Sequence, residues 1–371
     1  MRKLEELGKK GFSANTNEKI NKSFNFKQTL MLKNFLEKSE SINNFSMNKL
    51  IKILCFVFLL LGSAQVFAQK NFLKSLKSPI IFKGNDSTAY RDPAILYHDK
   101  TMYLFFTLVR TEKGYVYSYT AMSKSKDLKK WSPIKIITPR DMSLDFCSPG
   151  NVVKFKDEWV LCLQTYPRPN YKASEMPRFG TGDARLYVMR SNDLENWSTP
   201  ELMKVKGPEV SFKDMGRMID PYLLEDENEP GKWWCFYKQN GVSMSYSYDL
   251  RNWNFFGYTE SGENACVLYE NKEYILIHSP KNGIGIKKSK DLKTWEDWGK
   301  PITLGQKDWD WAKGRITAGA VINLKNNKNF GKYMMFFHGS GPKTEEEGDF
   351  DKNASIGIAW SNDLMDWTWP K

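Results

Sequence analysis

Short apolar runs broken by polar turns dominate residues 78–371, and they recur in sets of three. The first set is Asp92–Tyr97, Thr101–Thr107 and Tyr115–Ser123, and the second is Ser148–Phe155, Glu158–Gln164 and Ala184–Arg190. A third set runs over Pro221–Glu225, Lys232–Lys238 and Val242–Ser247, and a fourth over Ala265–Tyr269, Glu273–His278 and Ile284–Lys288. Ala318–Leu324, Lys332–His338 and Ser355–Trp360 make the fifth. β-Branched and aromatic residues bounded by Lys, Asp, Asn and Gly predict antiparallel strands. Each set ends in one signature, S-x-D-L-x-x-W, with aspartates at Asp127, Asp193, Asp249, Asp291 and Asp363. Their spacing varies from 42 to 72 residues, which suits β-blades with unequal loops better than helical repeats. The Asp is placed to close a turn through its side chain, and the Leu and Trp to pack between blades. A fourth, outer strand follows each Trp, as in Ser132–Ile137 and Pro301–Leu304, except that the fifth copy has almost none. Ser78–Phe82 resembles the missing strand and is expected to complete blade five. The predicted fold is all-β: a five-bladed β-propeller of four-stranded antiparallel blades, its ring closed by the mature N-terminal strand.

Charge and composition change this picture little. The net charge is +12, with half of it in residues 1–68 and no basic run or nucleic-acid motif elsewhere, so no nucleic-acid partner is expected. Met47–Ala68 has Lys49 and Lys52, an apolar stretch from Ile53 to Leu61, and a Val66-Phe67-Ala68 end. That order is a signal peptide's, and the apolar stretch is shorter than the roughly 20 residues that span a bilayer. The expected organisation is an upstream extension over 1–46 with Met47 as the true start, a signal peptide over 47–68, and a propeller domain over 69–371. The product would be secreted or periplasmic, monomeric and without stable membrane insertion; a membrane-anchored form with a cytosolic tail is the competing reading. Cys147, Cys162, Cys235 and Cys266 each lie in strand-like runs and read as buried free thiols.

In an up-and-down propeller the starts of the inner strands converge on one mouth of the central channel. Those starts read Arg91-Asp92-Pro93, Phe146-Cys147-Ser148, Ile219-Asp220-Pro221, Gly262-Glu263-Asn264 and Arg315-Ile316-Thr317. Three acids around one channel repel and raise one another's pKa values, and an acid–carboxylate pair is what glycosidic hydrolysis needs. Asp-Pro pairs also cap strands, so either pair alone has a structural explanation; two pairs with Glu263 at one ring position favour chemistry.

With YRDPAIL, MIDPYLL and GENACVL in blades one, three and four, the chain resembles glycoside hydrolase family 43 over residues 78–371. The resemblance implies Asp92 as general base, Asp220 as the residue that tunes and positions the acid, and Glu263 as general acid. Two features depart from the family pattern. The acid there sits in E-G-P or E-A-P, whereas this chain has Glu263-Asn264-Ala265, so Asn264 competes for the ring position and Glu260 is a distant rival. Thr317-Ala318-Gly319 stands where many members carry an ion-binding His. No metal and no cofactor are expected.

The ends of the second strands, Thr107, Gln164, Lys238, His278 and His338, form a second expected ring. Gln164, Lys238, His278 and His338 are taken as substrate-binding, with Arg91, Arg315 and the sugar-stacking candidates Trp309 and Trp311. The loop 166–183 is expected to wall the site, and the acidic loop 339–353 to be mobile. The substrate is then an oligosaccharide or polysaccharide, cleaved from its end with inversion to release a sugar such as arabinofuranose or xylose. A non-catalytic carbohydrate-binding propeller is one alternative, and a fructosidase or anhydrogalactosidase another. A phosphorylase would need a phosphate cradle, for which Arg185, Arg217, Arg315 and Lys238 are candidates.

Overall fold

The computed structural model describes Leu73 and residues 75–371, so the readings of 1–46 and of the 47–68 signal segment lie outside the described residues. Five antiparallel sheets follow one another along the chain. Blade one is Thr88–His98, Thr101–Glu112, Tyr115–Ser125 and Lys135–Ile136. Blade two has a broken inner strand, Phe146–Cys147 and Val152–Phe155, then Glu158–Thr165, Leu186–Ser191 and Glu201–Leu202. Blades three and four are Ile219–Glu225, Trp233–Lys238, Val242–Ser247 and Asn254–Thr259, and Glu263–Glu270, Glu273–Ser279, Gly285–Ser289 and Glu296–Asp297. Blade five is Arg315–Leu324, Lys332–Ser340 and Ser355–Ser361. Its outer position is shared: both Ile80–Phe82 and the short Trp367–Thr368 pair with Ser355–Ser361.

One apolar cluster lies between each pair of neighbouring blades. Leu104 and Phe106 of blade one meet Phe336 and Ile358 of blade five, so the first and last blades share a core. Phe105 and Met122 meet Leu161 of blade two, and Cys162 and Val188 meet Leu223 and Trp233 of blade three. Phe236 and Met244 meet Val267 of blade four, and Ile277 and Ile286 meet Met335 and Phe337 of blade five. The four cysteines in this interior are buried and unpaired.

The repeated signature is a turn built from side chains. In blade four the Ser289 hydroxyl accepts from the Leu292 N–H at 2.9 Å, and Asp291 Oδ1 accepts from the N–H groups of Lys293 and Thr294 at 2.8 Å. The same Asp bonds recur in all five blades. This turn forces the leucine into the left-handed region, with φ of 60, 63, 54, 62 and 70° at Leu128, Leu194, Leu250, Leu292 and Leu364. That conformation costs a non-glycine residue roughly 1–2 kcal/mol. All five leucines are buried, and burying a Leu side chain contributes about 1.5–3 kcal/mol, enough to offset the strain. In blades one, four and five the Trp indole N–H donates back to the leucine carbonyl, at 2.8–3.2 Å.

Candidate active site

Each inner strand carries a bulge at the channel mouth. Arg91 pairs with Thr107 but Ala94 with Phe105, Ile219 with Lys238 but Tyr222 with Phe236, and Glu263 with Ser279 but Cys266 with Ile277. Thr317 pairs with His338 but Ala320 with Phe336, and blade two breaks after Cys147. The extra residue in each case has positive φ: Asp92 at 46°, Ser148 at 44°, Asp220 at 55°, Asn264 at 54° and Ala318 at 52°. Asp and Asn tolerate this region better than Ser or Ala.

The preceding blade holds each bulge by its backbone. The Ser148 N–H donates to Thr107 Oγ1 at 2.7 Å, Asp220 N–H to Gln164 Oε1 at 2.5 Å, and Ala318 N–H to Ser279 Oγ at 2.8 Å. The Asp92 N–H donates to His338 Nδ1 at 3.1 Å, from blade five. Lys238 has no acceptor, and the fourth bond goes elsewhere: Asn264 N–H donates to Asp220 Oδ2 at 3.1 Å.

Two expectations are corrected by this register. Asn264, not Glu263, occupies the position equivalent to Asp92 and Asp220; Glu263 stands one residue earlier, in step with Arg91 and Ile219. Ser279, not His278, is the blade-four equivalent of His338. In each case the bulge shifts the count by one, and in a strand one residue reverses the side. His278 packs over Gly285, accepts from the Gly262 N–H at 3.0 Å and is lowered to about 4 by burial and by Lys287. It does not line the pocket.

A cavity of about 140 Å³ lies above the ring, lined among others by Arg91, Asp92, Gln164, Asp220, Glu263, Arg315 and His338. Asp92 is buried, and its Oδ2 accepts from Thr107 Oγ1 at 2.8 Å. Asp220 accepts from Ser148 Oγ at 2.8 Å. Burial first, then the negative charges of Glu263 and Asp92, raise Asp220 to about 7. Glu263 Oε1 accepts from Arg315 at 2.7 Å, and the other side of that guanidinium donates to Glu345 Oε2 at 2.6 Å.

Glu345 was not anticipated as part of the site. It belongs to the acidic loop 339–353, which is anchored rather than loose. Glu345 lies 3.2 Å from His338 Nε2 and accepts from Ser340 Oγ at 3.1 Å. Because Asp92 N–H occupies Nδ1, His338 is the neutral tautomer with its proton on Nε2, donating to Glu345. Burial opposes ionisation of Glu345, but the His338 hydrogen bond and the charges of Arg91 and Arg315 hold its carboxyl well below the usual range. Further along, Asp351 accepts from Arg168 at 2.6 Å and from Tyr171 at 2.6 Å, and Arg168 also reaches Asp145 at 3.0 Å. All four are buried. This network ties the loop 166–183 to the loop 339–353.

Three other candidates lie away from the pocket. Lys238 points its Nζ to the Ser261 carbonyl at 3.3 Å. Trp309 and Trp311 stack on each other and on Phe337. Gly305, Gly339 and Gly357 make room for their rings: an added Cβ would come within 2.5–2.8 Å of neighbouring atoms. Both tryptophans are partly buried and pack against the blade four–five core, and neither lines this pocket. The phosphate-cradle candidates do not converge either, since Arg185 is spent on the carbonyls of Phe212, Gly182 and Ala184 and Arg315 on two carboxylates. Among the described residues no group of three or more His, Cys, Asp or Glu is arranged to hold a metal ion.

No protein-family model and no curated protein matches the sequence. Solved structures do match in shape. An exo-1,5-α-L-arabinanase from a bovine ruminal metagenomic library superposes with a TM-score of 0.52 at 15% identity, over 76% of this chain and 97% of that one. A family 43 β-1,3-galactosidase with galactodeoxynojirimycin gives 0.52 at 13% identity, over 75% and 92%. A β-xylosidase gives 0.51 at 12% identity, over 76% and 96%. The described chain is a five-bladed β-propeller of the architecture those glycosidases share.

Proposed function

We propose that this protein is a glycoside hydrolase of the family 43 type, acting on an oligosaccharide or polysaccharide. The observation that carries the reading is the meeting of Asp92, Asp220 and Glu263 in one pocket, with Asp220 raised to about 7. Asp92 is the general base: with Thr107 on Oδ2, its other oxygen accepts a proton from the attacking water. Asp220, raised to about 7 by burial and then by the charges of Glu263 and Asp92, is the source of the proton that Glu263 carries as general acid. Glu263 delivers it to the leaving oxygen, for which its contact with Arg315 must open while Arg315 keeps Glu345. The register supports Glu263 over Asn264 as the acid. Proline directly follows the ring residue in Asp92-Pro93 and Asp220-Pro221, whereas in E-G-P it follows one residue later. A family acid therefore stands one position before the ring, as Glu263 does.

We further infer exo-action, because the loops carrying Tyr166, Phe179 and Phe350 wall the pocket. Inversion follows from Asp92 and Glu263 projecting from non-adjacent blades, since inverting pairs need about 6.5–9.5 Å between carboxyls. Release of a terminal sugar such as arabinofuranose or xylose, by a secreted protein freed of its signal segment, completes the reading. Asp92→Asn in folded protein should lower hydrolysis by about 10²–10⁴. NMR of the first-formed anomer tests the stereochemistry; a product of retained configuration sinks the assignment, and wild-type turnover by the variant makes Asp92 a strand cap only.

A further inference from the structure

Two of the four arginines that line the pocket are not tied to a carboxylate by an ion pair. Arg168 and Arg315 are each bound between two acids. Arg91 and Arg217 also line the pocket, yet among the described residues neither side chain makes an ion pair. Arg91 Nε is buried with no hydrogen-bond partner. Its guanidinium lies 3.6 Å from the Phe350 ring centroid, a stacked contact that fixes the plane of the fork. Arg217 lies 5.7 Å from the centroid of Tyr166, and Tyr166 in turn lies 6.3 Å from Phe350. The Tyr166 hydroxyl senses both arginine charges. An aromatic wall thus separates two guanidiniums that have donors to spare. Rings suit the apolar face of a sugar, and a guanidinium fork suits a planar or tetrahedral oxyanion.

We propose that the glycan bound here is acidic, with a carboxylate or sulfate on the sugar in the pocket or on its neighbour, held by Arg91 and Arg217. The proposal rests on the glycosidase reading for its ligand class but not for its test. The inert Asp92→Asn variant is titrated calorimetrically with xylo-oligosaccharides bearing glucuronic acid, as the free acid and as the methyl ester. A second pair, sulfated and desulfated galacto-oligosaccharides, separates the two anions. A charge-assisted pair should make the anionic member of at least one pair bind about tenfold or more tightly than its neutral twin. That ratio should shrink with added salt. Arg217→Gln, at an exposed position, should collapse the ratio, and Arg91→Gln should do so as well. A ratio confined to the sulfated pair assigns the site to sulfate, and one confined to the uronic pair assigns it to carboxylate. Equal affinity within both pairs, or a ratio that Arg217→Gln leaves intact, overturns the proposal. Failure of the wild type to hydrolyse any glycoside, acidic or neutral, would instead remove the glycosidase reading while these affinities still decide the charge preference.

Discussion

Replacing Arg168 with Met should unlock the pocket and destabilise the whole domain. The substitution keeps most of the side-chain volume but strands Asp145 and Asp351 in the interior. The ion pairs, at 3.0 and 2.6 Å, are each worth roughly 6 kcal/mol of gross attraction at an effective dielectric of 20. Desolvation of three charges cancels much of that, and breaking one partner of a buried set typically costs about 3–5 kcal/mol net. For a domain this large, roughly 2 °C of Tm per kcal/mol gives a fall of about 6–10 °C by calorimetry. Burial already raises Asp145 to about 6 against the pull of Arg168; without that cation it rises further, so the folded variant binds more protons than the folded wild type above about pH 6. The deficit should therefore grow as pH rises above about 6 and level off below it. Adding Asp145→Asn and Asp351→Asn should recover part of the loss. A melt within about 2 °C of wild type at pH 7, or a deficit that does not vary with pH, would refute the assignment of this network as the loop anchor.

Asp220→Asn should remove the like charge beside Glu263 and abolish the limb near pH 7 in the kcat/KM profile, a limb above which wild-type activity declines; an unchanged profile would separate Asp220 from the titrating pair. Ser289→Ala should cost about 1 kcal/mol by deleting the bonds to Leu292 and Asp291, read as a shift in the urea midpoint without a change in slope; no shift would mean that the Asp291 bonds alone close the turn. Glu263→Gln should impair substrates with poor leaving groups far more than activated aryl glycosides, and equal losses on both would argue against its role as acid.

The fold was legible because its local device repeats. S-x-D-L-x-x-W writes a hydrogen-bonded turn, a buried Leu and an interblade Trp into seven residues, and the strand runs between copies follow the pleat. Asp92 and Asp220 were legible because proline marks their ring position. Glu263 and His278 were harder, since a bulge adds a residue that neither apolar alternation nor composition reveals. Ala318 and Ser148 carry no hint of positive φ at all. Trp309 and Trp311 looked like exposed platforms because a loop tryptophan so often is one. The glycines that receive them, Gly305, Gly339 and Gly357, are spread over 52 residues and meet only in three dimensions. Glu345 sits in a run of acids that reads as a solvated loop; its burial depends on His338 and Arg315, partners that the sequence gives no reason to pair with it.

The bulge ring has a consequence for how such a site can change over generations. In four of five blades the strained backbone is clasped by a side chain from a neighbour's second strand, so its shape does not depend on what the ring residues carry; the fifth, at Asn264, is clasped by the ring residue Asp220. Asp, Ser, Asp, Asn and Ala occupy the five slots on nearly the same geometry. Apart from Asp220, which clasps Asn264, the slots are interchangeable sockets: an acid can be lost from one and gained at another without rebuilding the strand beneath. The constraint moves instead to the clasping residues Thr107, Gln164, Ser279 and His338, where losing the acceptor would release a neighbour's strand. Drift in specificity should therefore be easy at the ring and costly one strand behind it.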